Sequence, residues 1–579
     1  MSNHRSLAAV LSSLAAFAAF PAYAQNISGR NGVSRVLLIS VDGMHAADYL
    51  NCTAGGYCPN LASLGKSSVN YTRTSTSKPS DSFPGLMALV TGGSPKTVGA
   101  FYDVAYDRVL APPQITTGNG VAGGTCTPNQ PNGTTTEYEE GVDYDQTMVN
   151  GGGYYASVTD GGVLSINPAR LPRDPYNNCA PVYPWNFIRT NTIYGVIHAA
   201  GGYTAWSDKH GVYAAVSGPT TASDTLASNL NDYYAPDINS NVIALPGVTT
   251  ATGMACSPIP DNNNADWTSS FQNVQCYDQL KVNAILHQID GKWHDGSHPA
   301  PVPTIFGMNF QAVSVGQKLI ENGTKGGYLD AAGTPTASMK SEIMFVDAAV
   351  GQMVSELNNQ GILNNTMIIV TAKHGQSPID TNRFFPIPGH SGKNGSSPAN
   401  VIQQYLPFSE SPANPNGIGP TEDDISQLWL AHSTDLQSAV SLLQQNAASA
   451  GISQIYYGAT LNQMFNAPGI PASPSPLPVS APPTSGPDPR TPDIIVQPNV
   501  GVVYTGSTKK QSEHGGFAQD DTNVMLMVWK PNLAPATVTT FVETMQVAPT
   551  ILKALGLDPN SLQAVKAEGT QVLPGLNLQ

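Results

Sequence analysis

The stretch Val36-Leu-Leu-Ile-Ser-Val-Asp42-Gly-Met44 is an apolar run that ends in a carboxylate and a glycine turn. A continuous run, not one alternating with polar residues, reads as a strand buried on both faces, the kind found in parallel sheets. Downstream, Thr366-Met-Ile-Ile-Val-Thr-Ala-Lys373-His374-Gly375 repeats the arrangement. Between the two, Lys78-Pro-Ser-Asp-Ser82-Phe-Pro-Gly-Leu-Met-Ala-Leu-Val-Thr-Gly92 puts a hydroxyl in a turn that opens an apolar helix. The start of a helix carries unpaired backbone N–H groups and the positive end of the macrodipole, so phosphate can dock there while Ser82 attacks it. Two strand ends and one helix start are thereby expected to converge on one crevice.

The alternation of strand and helix continues along the chain. Thr304-Ile-Phe-Gly-Met-Asn-Phe310 reads as a strand. Met339, Ile343, Val346, Val350, Met353 and Leu357 then recur at three- and four-residue steps, with Gly361 placed to stop the helix they predict. Asp493-Ile-Ile-Val496 and Asn523-Val-Met-Leu-Met-Val-Trp529 supply further strands, and Val547 to Gly556 carries proline near its start and glycine at its end, as a terminal helix should. The pattern predicts an α/β fold: a doubly wound, mostly parallel sheet flanked by helices, with ligands at the carboxyl ends of the strands. Residues 105–200, rich in Gly, Asn, Thr and Tyr, read as an inserted cap or loop region. Residues 466–492, with prolines from Pro468 to Pro492, read as an extended surface connection.

Composition narrows the functional classes. Charged residues make up 11% of the 579, and the formal charge is −14. That excludes a basic surface for nucleic acid, so any phosphate must be attracted locally. Behind Arg5, an apolar run from Leu7 to Phe20 precedes Pro21-Ala22-Tyr-Ala24-Gln25, the pattern of a signal peptide (1–24) cleaved after Ala24 to leave a hydrolase domain at 25–579. The run falls short of the roughly 20 residues that span a bilayer, and no later run matches it. The mature chain is therefore expected to be exported, periplasmic or extracellular, without a membrane anchor. Six cysteines and no Cys-x-x-Cys pair suit an oxidising compartment. Sequence neighbours suggest the pairs Cys52–Cys58, Cys126–Cys179 and Cys256–Cys276.

Val41-Asp42-Gly43-Met44, Ser82-Phe83-Pro84 with Val90-Thr91-Gly92, Lys373-His374-Gly375 and Glu513-His514-Gly515-Gly516 occur in the order found in the alkaline phosphatase superfamily. From about residue 35 to 560 the chain resembles the type I phosphodiesterases/nucleotide pyrophosphatases. The resemblance implies an alkaline-phosphatase-like fold and a Ser82 nucleophile between divalent metals, zinc in that family. It implies Asp42 and His374 as ligands on the nucleophile side and His514 as a ligand on the other. The departures are specific. Lys373 stands where the family has a ligand aspartate, and an ammonium is no ligand. Val313 and Gln317 occupy both ligand positions of the family's Asp-x-x-Gly-His motif, and Gly85 replaces the asparagine after Phe-Pro. One divalent ion rather than two is expected, held by Asp42, Ser82, His374 and His514. Lys373 would supply the other positive charge, lowering the serine pKa and clamping the substrate anion, while Asn309 or Gln311 positions a substrate oxygen.

Each of these residues has a plainer alternative. Asp42 could cap its own turn. Ser82 or Asp81 could be an ordinary N-cap. His374 at a buried strand end would be costly to leave unpaired, which favours a ligand role. Glu513 could orient His514 or be solvated. Trp206-Ser-Asp208-Lys209-His210 groups polar side chains with poor spacing for a metal and suits substrate contact, since neighbours on a strand point to opposite faces. His45, His390 and Lys393 default to surface polar residues.

The expected activity is hydrolysis of a small-molecule phosphate ester or anhydride, of phosphodiester or nucleotide pyrophosphate type, through a phospho-serine. A sulfatase or phosphonate hydrolase on the same fold is one rival, and a sulfatase's arginine four residues after the nucleophile is Leu86 here. A non-catalytic exported anion-binding protein with a degenerate metal site is the other.

Overall fold

Arg35–Val41 forms β1, and Val36 to Val41 are fully buried, as a continuous apolar run requires of a strand covered on both faces. The computed structural model describes residues 27–578 apart from 28, 30–31, 131, 139–161, 222, 239–244, 246, 257–266, 390–394, 407–420 and 466–487. The expected signal peptide, His390, Lys393, part of the 105–200 stretch and most of the proline-rich segment lie outside the described residues.

In chain order the central sheet contains β1, β2 (Val69–Tyr71), β3 (Ala205–Ser207), β4 (Asp232–Tyr234), β5 (Ile305–Phe310), β6 (Thr366–Thr371), β7 (Leu526–Trp529) and β8 (Ala536–Val538). Across the sheet they run β8-β2-β7-β6-β1-β5-β3-β4. β1 pairs in parallel with β5 on one side, Val36 opposite Ile305, and with β6 on the other, Ser40 opposite Thr371. β7 is the antiparallel strand, bonded to both β6 and β2.

Side chains of β1 alternate between two cores. Val36 and Leu38 pack with helices α1 (Ser82–Thr91), α2 (Ile193–Ala199) and α6 (Val547–Ala554). Leu37, Ile39 and Val41 pack with α3 (Phe271–Ile289), α4 (Ala312–Lys318) and α5 (Ala337–Asn359) on the opposite face. Each such Leu or Ile buried contributes about 1.5–3 kcal/mol. In α5 the expected stripe from Met339 to Leu357 is wholly buried; Thr336 caps the start by accepting from the Met339 N–H, and Gly361 turns the chain at φ +69°.

The strand expected at 493–496 does form, as Ile494–Pro498, but it belongs to a separate four-stranded sheet, pairing antiparallel with Ser426–Leu428 and Ile452–Tyr457. Ile494 and Val496 pack with Leu428, Val440 and Leu443 there, so three apolar residues marked a strand without specifying which core would bury it. The three disulfides are Cys52–Cys58, Cys126–Cys179 and Cys256–Cys276.

Candidate active site

The parallel strands deliver their carboxyl ends to one crevice. β1 ends in Asp42, β3 leads into Asp208 and Lys209, β5 carries Asn309, and β6 leads into Lys373 and His374, all of them buried. α1 meets them from the side. Its N-cap is Asp81, so Ser82 is the first helical residue and its hydroxyl is not spent on capping. Gly85 explains how the helix comes so close: a Cβ there would lie 2.2 Å from the Lys373 carbonyl oxygen, which leaves no room for the asparagine the family carries.

The Ser82 Oγ lies 3.1 Å from His374 Nε2, and the Lys209 Nζ donates to it at 3.3 Å. His374 Nδ1 lies 2.7 Å from the Gly375 carbonyl, an acceptor, which assigns the proton to Nδ1 and leaves the Nε2 lone pair to accept from the serine hydroxyl. Burial, then the neighbouring His514, pull the His374 pKa below its ordinary value against the opposing pull of Asp42. His374 is thus poised as a neutral base.

One oxygen of Asp42, Oδ2, is surrounded by donors, while the buried Oδ1 has no hydrogen-bond partner among the described residues. Oδ2 receives Asn309 Nδ2 at 3.0 Å and Gln311 Nε2 at 2.6 Å, and lies 3.3 Å from Lys373 Nζ and 3.6 Å from His374 Nε2. Burial alone would raise this carboxyl, but Lys373, His374 and Lys209 outweigh it and hold it well below the usual carboxylate range. The Lys373 ammonium also lies 3.6 Å from Asp208 Oδ1 and 4.5 Å from the Tyr213 ring centre, between two carboxylates and over an aromatic face. The amides expected to position a substrate oxygen thus point at Asp42.

His514 stacks on His374 with ring centres 4.0 Å apart, and its Nδ1 is 3.2 Å from Asp81 Oδ1. Glu513 instead faces Lys510 at 2.8 Å and Lys318 at 3.6 Å. A cavity of about 370 Å³ opens over the crevice, with Asp81, Lys209, Gln311, His374 and His514 among its lining. Ser82 is fully buried behind its two partners.

The helix start differs from the expected anion dock. The Phe83 N–H donates to Asp103 Oδ1 at 2.6 Å, and the Asp103 N–H donates to Asp81 Oδ2 at 2.6 Å, so carboxylates fill that end. The positive charge at Ser82 comes from Lys209, whose signal was the polar cluster after Trp206. β3 ends at Ser207, so the alternation of a strand does not govern the two residues that follow. His45, expected at the surface, is buried: Nδ1 is 3.0 Å from Asp48 Oδ2 and Nε2 is 2.8 Å from the Gln376 carbonyl, tying the loop after β1 to the loop after β6.

Among the described residues, no three His, Cys, Asp or Glu side chains are grouped so as to hold a metal ion. Val313 is buried in the apolar core, and Gln317 Nε2 donates to the Gly43 carbonyl. These donors do not fit the pair of divalent ions that the family uses.

None of the curated proteins compared with the chain matches it. Murine ectonucleotide pyrophosphatase/phosphodiesterase 5 is similar in fold: 13% identity, a TM-score of 0.50, and coverage of 91% of this chain and 96% of that one. An inactive threonine-to-alanine variant of that murine protein, in complex with AMP, superposes with a TM-score of 0.51 at the same identity and coverage. The sequence pattern of the type I phosphodiesterases/nucleotide pyrophosphatases matches residues 36–188 and 325–521, more than half of the chain. With fold and matched segments in agreement, this chain belongs to the type I phosphodiesterase/nucleotide pyrophosphatase family of the alkaline phosphatase superfamily.

Proposed function

We propose that the chain is an exported hydrolase of small phosphate esters or anhydrides, a phosphodiester or nucleotide pyrophosphate being the favoured type, with Ser82 as nucleophile. The observation that carries this reading is the Ser82 hydroxyl held between a lysine ammonium and a neutral histidine nitrogen at the carboxyl end of the sheet. His374 Nε2 takes the hydroxyl proton as Oγ moves onto phosphorus. The Lys209 ammonium turns from the serine oxygen toward the phosphoryl oxygens, where negative charge gathers. His514, oriented through Nδ1 by Asp81, directs its other nitrogen at the leaving oxygen. Asp42, fixed by Asn309, Gln311 and Lys373, keeps the nearby cations and His374 in register. Water then releases the phosphoryl group from the serine, as a phosphate monoester when the substrate is a diester.

The murine neighbour's complex with AMP supports a nucleotide-sized substrate, and the cavity volume suits a small molecule. Three disulfides suit an oxidising compartment, in keeping with export, and among the described residues no helix is long and apolar enough to cross a membrane. The complete burial of Ser82 favours a second reading, an anion-binding protein without turnover. Hydrolysis of a nitrophenyl phosphodiester, compared with the sulfate and phosphonate esters, tests the reading. Preference for the diester, lost in Ser82→Ala, is expected; phosphate binding without hydrolysis of any ester would leave the binding protein.

A further inference from the structure

We infer that Lys209 and Lys373 are the cations of this site, so that it binds and transfers a phosphoryl group with no divalent ion. The inference rests on the phosphoryl-transfer reading and names what neutralises its charge. Asp42 and Asp208 are buried carboxylates at the ends of β1 and β3, which flank β5, and buried anions need a counter-charge. That charge is present: Lys373 Nζ is 3.3 Å from one and 3.6 Å from the other. A dication placed on Asp42 would face this buried ammonium, and like charges repel strongly where both are buried. Asp42 Oδ2 already accepts from both Asn309 and Gln311, which leaves Oδ1 as its single uncommitted oxygen. On the far side, Val313 offers no donor, and the Gln317 amide is committed to the Gly43 carbonyl. That leaves His514 paired with Asp81.

Lys209 fills the remaining role. Its Nζ, 3.3 Å from Ser82 Oγ, stands where the attacking oxygen and then the phosphoryl oxygens carry negative charge. The step balances without a metal. The Oγ–P bond forms and the bond from phosphorus to the leaving oxygen breaks; the serine proton passes to His374, and His514 gives a proton to the leaving oxygen. Water then forms the new P–O bond as Oγ–P breaks; one of its protons passes to His514, and His374 returns its proton to Ser82.

The test uses the full mature chain. Metal content by mass spectrometry, hydrolysis of a nitrophenyl phosphodiester before and after chelator dialysis, and calorimetric binding of inorganic phosphate are measured for the parent, Lys209→Met and Lys373→Asp. The parent is expected to hold far less than stoichiometric metal and to lose no rate to chelation or gain any from zinc or manganese. Lys209→Met is expected to cut kcat about 100-fold and to weaken phosphate binding roughly tenfold. Lys373→Asp, which restores the family's ligand type, is expected to take up zinc that the parent does not. Stoichiometric metal in the parent, with rate lost on chelation and restored by zinc, overturns the inference. If no ester is hydrolysed under any condition, the phosphoryl-transfer reading falls by itself. Phosphate binding then decides: Lys209-dependent, chelator-insensitive binding supports the lysine cations, and zinc-dependent binding refutes them.

Discussion

Ser82, the proposed nucleophile, is fully buried, and its hydroxyl does not cap the helix, because Asp81 is the residue at the N-cap. Ser82→Ala should therefore unfold at a temperature close to the parent's, while kcat falls on the order of 1,000-fold or more. Equal turnover in the two proteins, measured with a nitrophenyl phosphodiester, would remove the nucleophile. His514→Ala should lower kcat by about 100-fold, and less for a substrate with a good leaving group, if its proposed part is to protonate the leaving oxygen. A loss independent of leaving group would assign His514 a positioning role. Asp42, Ser82 and His374 were legible as site candidates because each sits in a short motif at a strand end or helix start, and His514 because it sits in a short motif of its own in a loop. Lys209 was not legible as the serine's partner. It lies 127 residues from Ser82, and only the fold brings the loop after β3 to the start of α1.

Helix α1 reaches the site only because residue 85 has no side chain. Gly85→Ala sets a methyl 2.2 Å from the Lys373 carbonyl, so it should destabilise by about 1–3 kcal/mol and lower activity with it by pushing Ser82 from His374. An active variant of parental stability would show that the helix and the β6 loop are not in contact. On the other face, α5 carries Glu342 into the packing against α3, where its Oε1 accepts from Gln275 at 3.1 Å and its Oε2 has no hydrogen-bond partner. Burial holds this carboxyl well above its ordinary pKa, only partly countered by the Gln275 amide. A raised folded pKa means that the full contribution to stability is present below the unfolded-chain value and is lost as pH rises through the folded value. Glu342→Gln should thus be more stable than the parent at pH 7, by roughly 1–2 kcal/mol, with the gap closing as pH falls toward the unfolded value near about 4.3. Denaturant titrations across pH check this; a gap that widens on acidification would contradict it. The periodicity of α5 was plain in the sequence because apolar spacing encodes it, but Glu342 was invisible, since one carboxylate inside an apolar helix face gives no period.

The molecule as a whole joins a large sheet core to the smaller antiparallel sheet and pins its loops with three disulfides. The Cys126–Cys179 bridge closes a sequence separation of 53, so its loss should cost about 2–4 kcal/mol by freeing the unfolded chain. Calorimetry with and without reductant should show that fall, and an unchanged midpoint would mean that the bridge is structurally idle. The order of strands and helices was legible because apolar runs and capping residues are local signals. The assignment of Ile494–Pro498 to a second sheet was not, because pairing is decided by distant partners. The same holds for the site: the proposed nucleophile and Lys373 follow from motifs, but the second proposed cation, Lys209, follows from the convergence of the strand ends on α1. The most direct measurement of the account is rapid quenching of the enzyme during turnover of a nitrophenyl phosphodiester, followed by peptide mass spectrometry. The account predicts a phosphoryl ester on Ser82, formed in a burst with nitrophenolate and absent in Ser82→Ala. Steady turnover with Ser82 never esterified would contradict it.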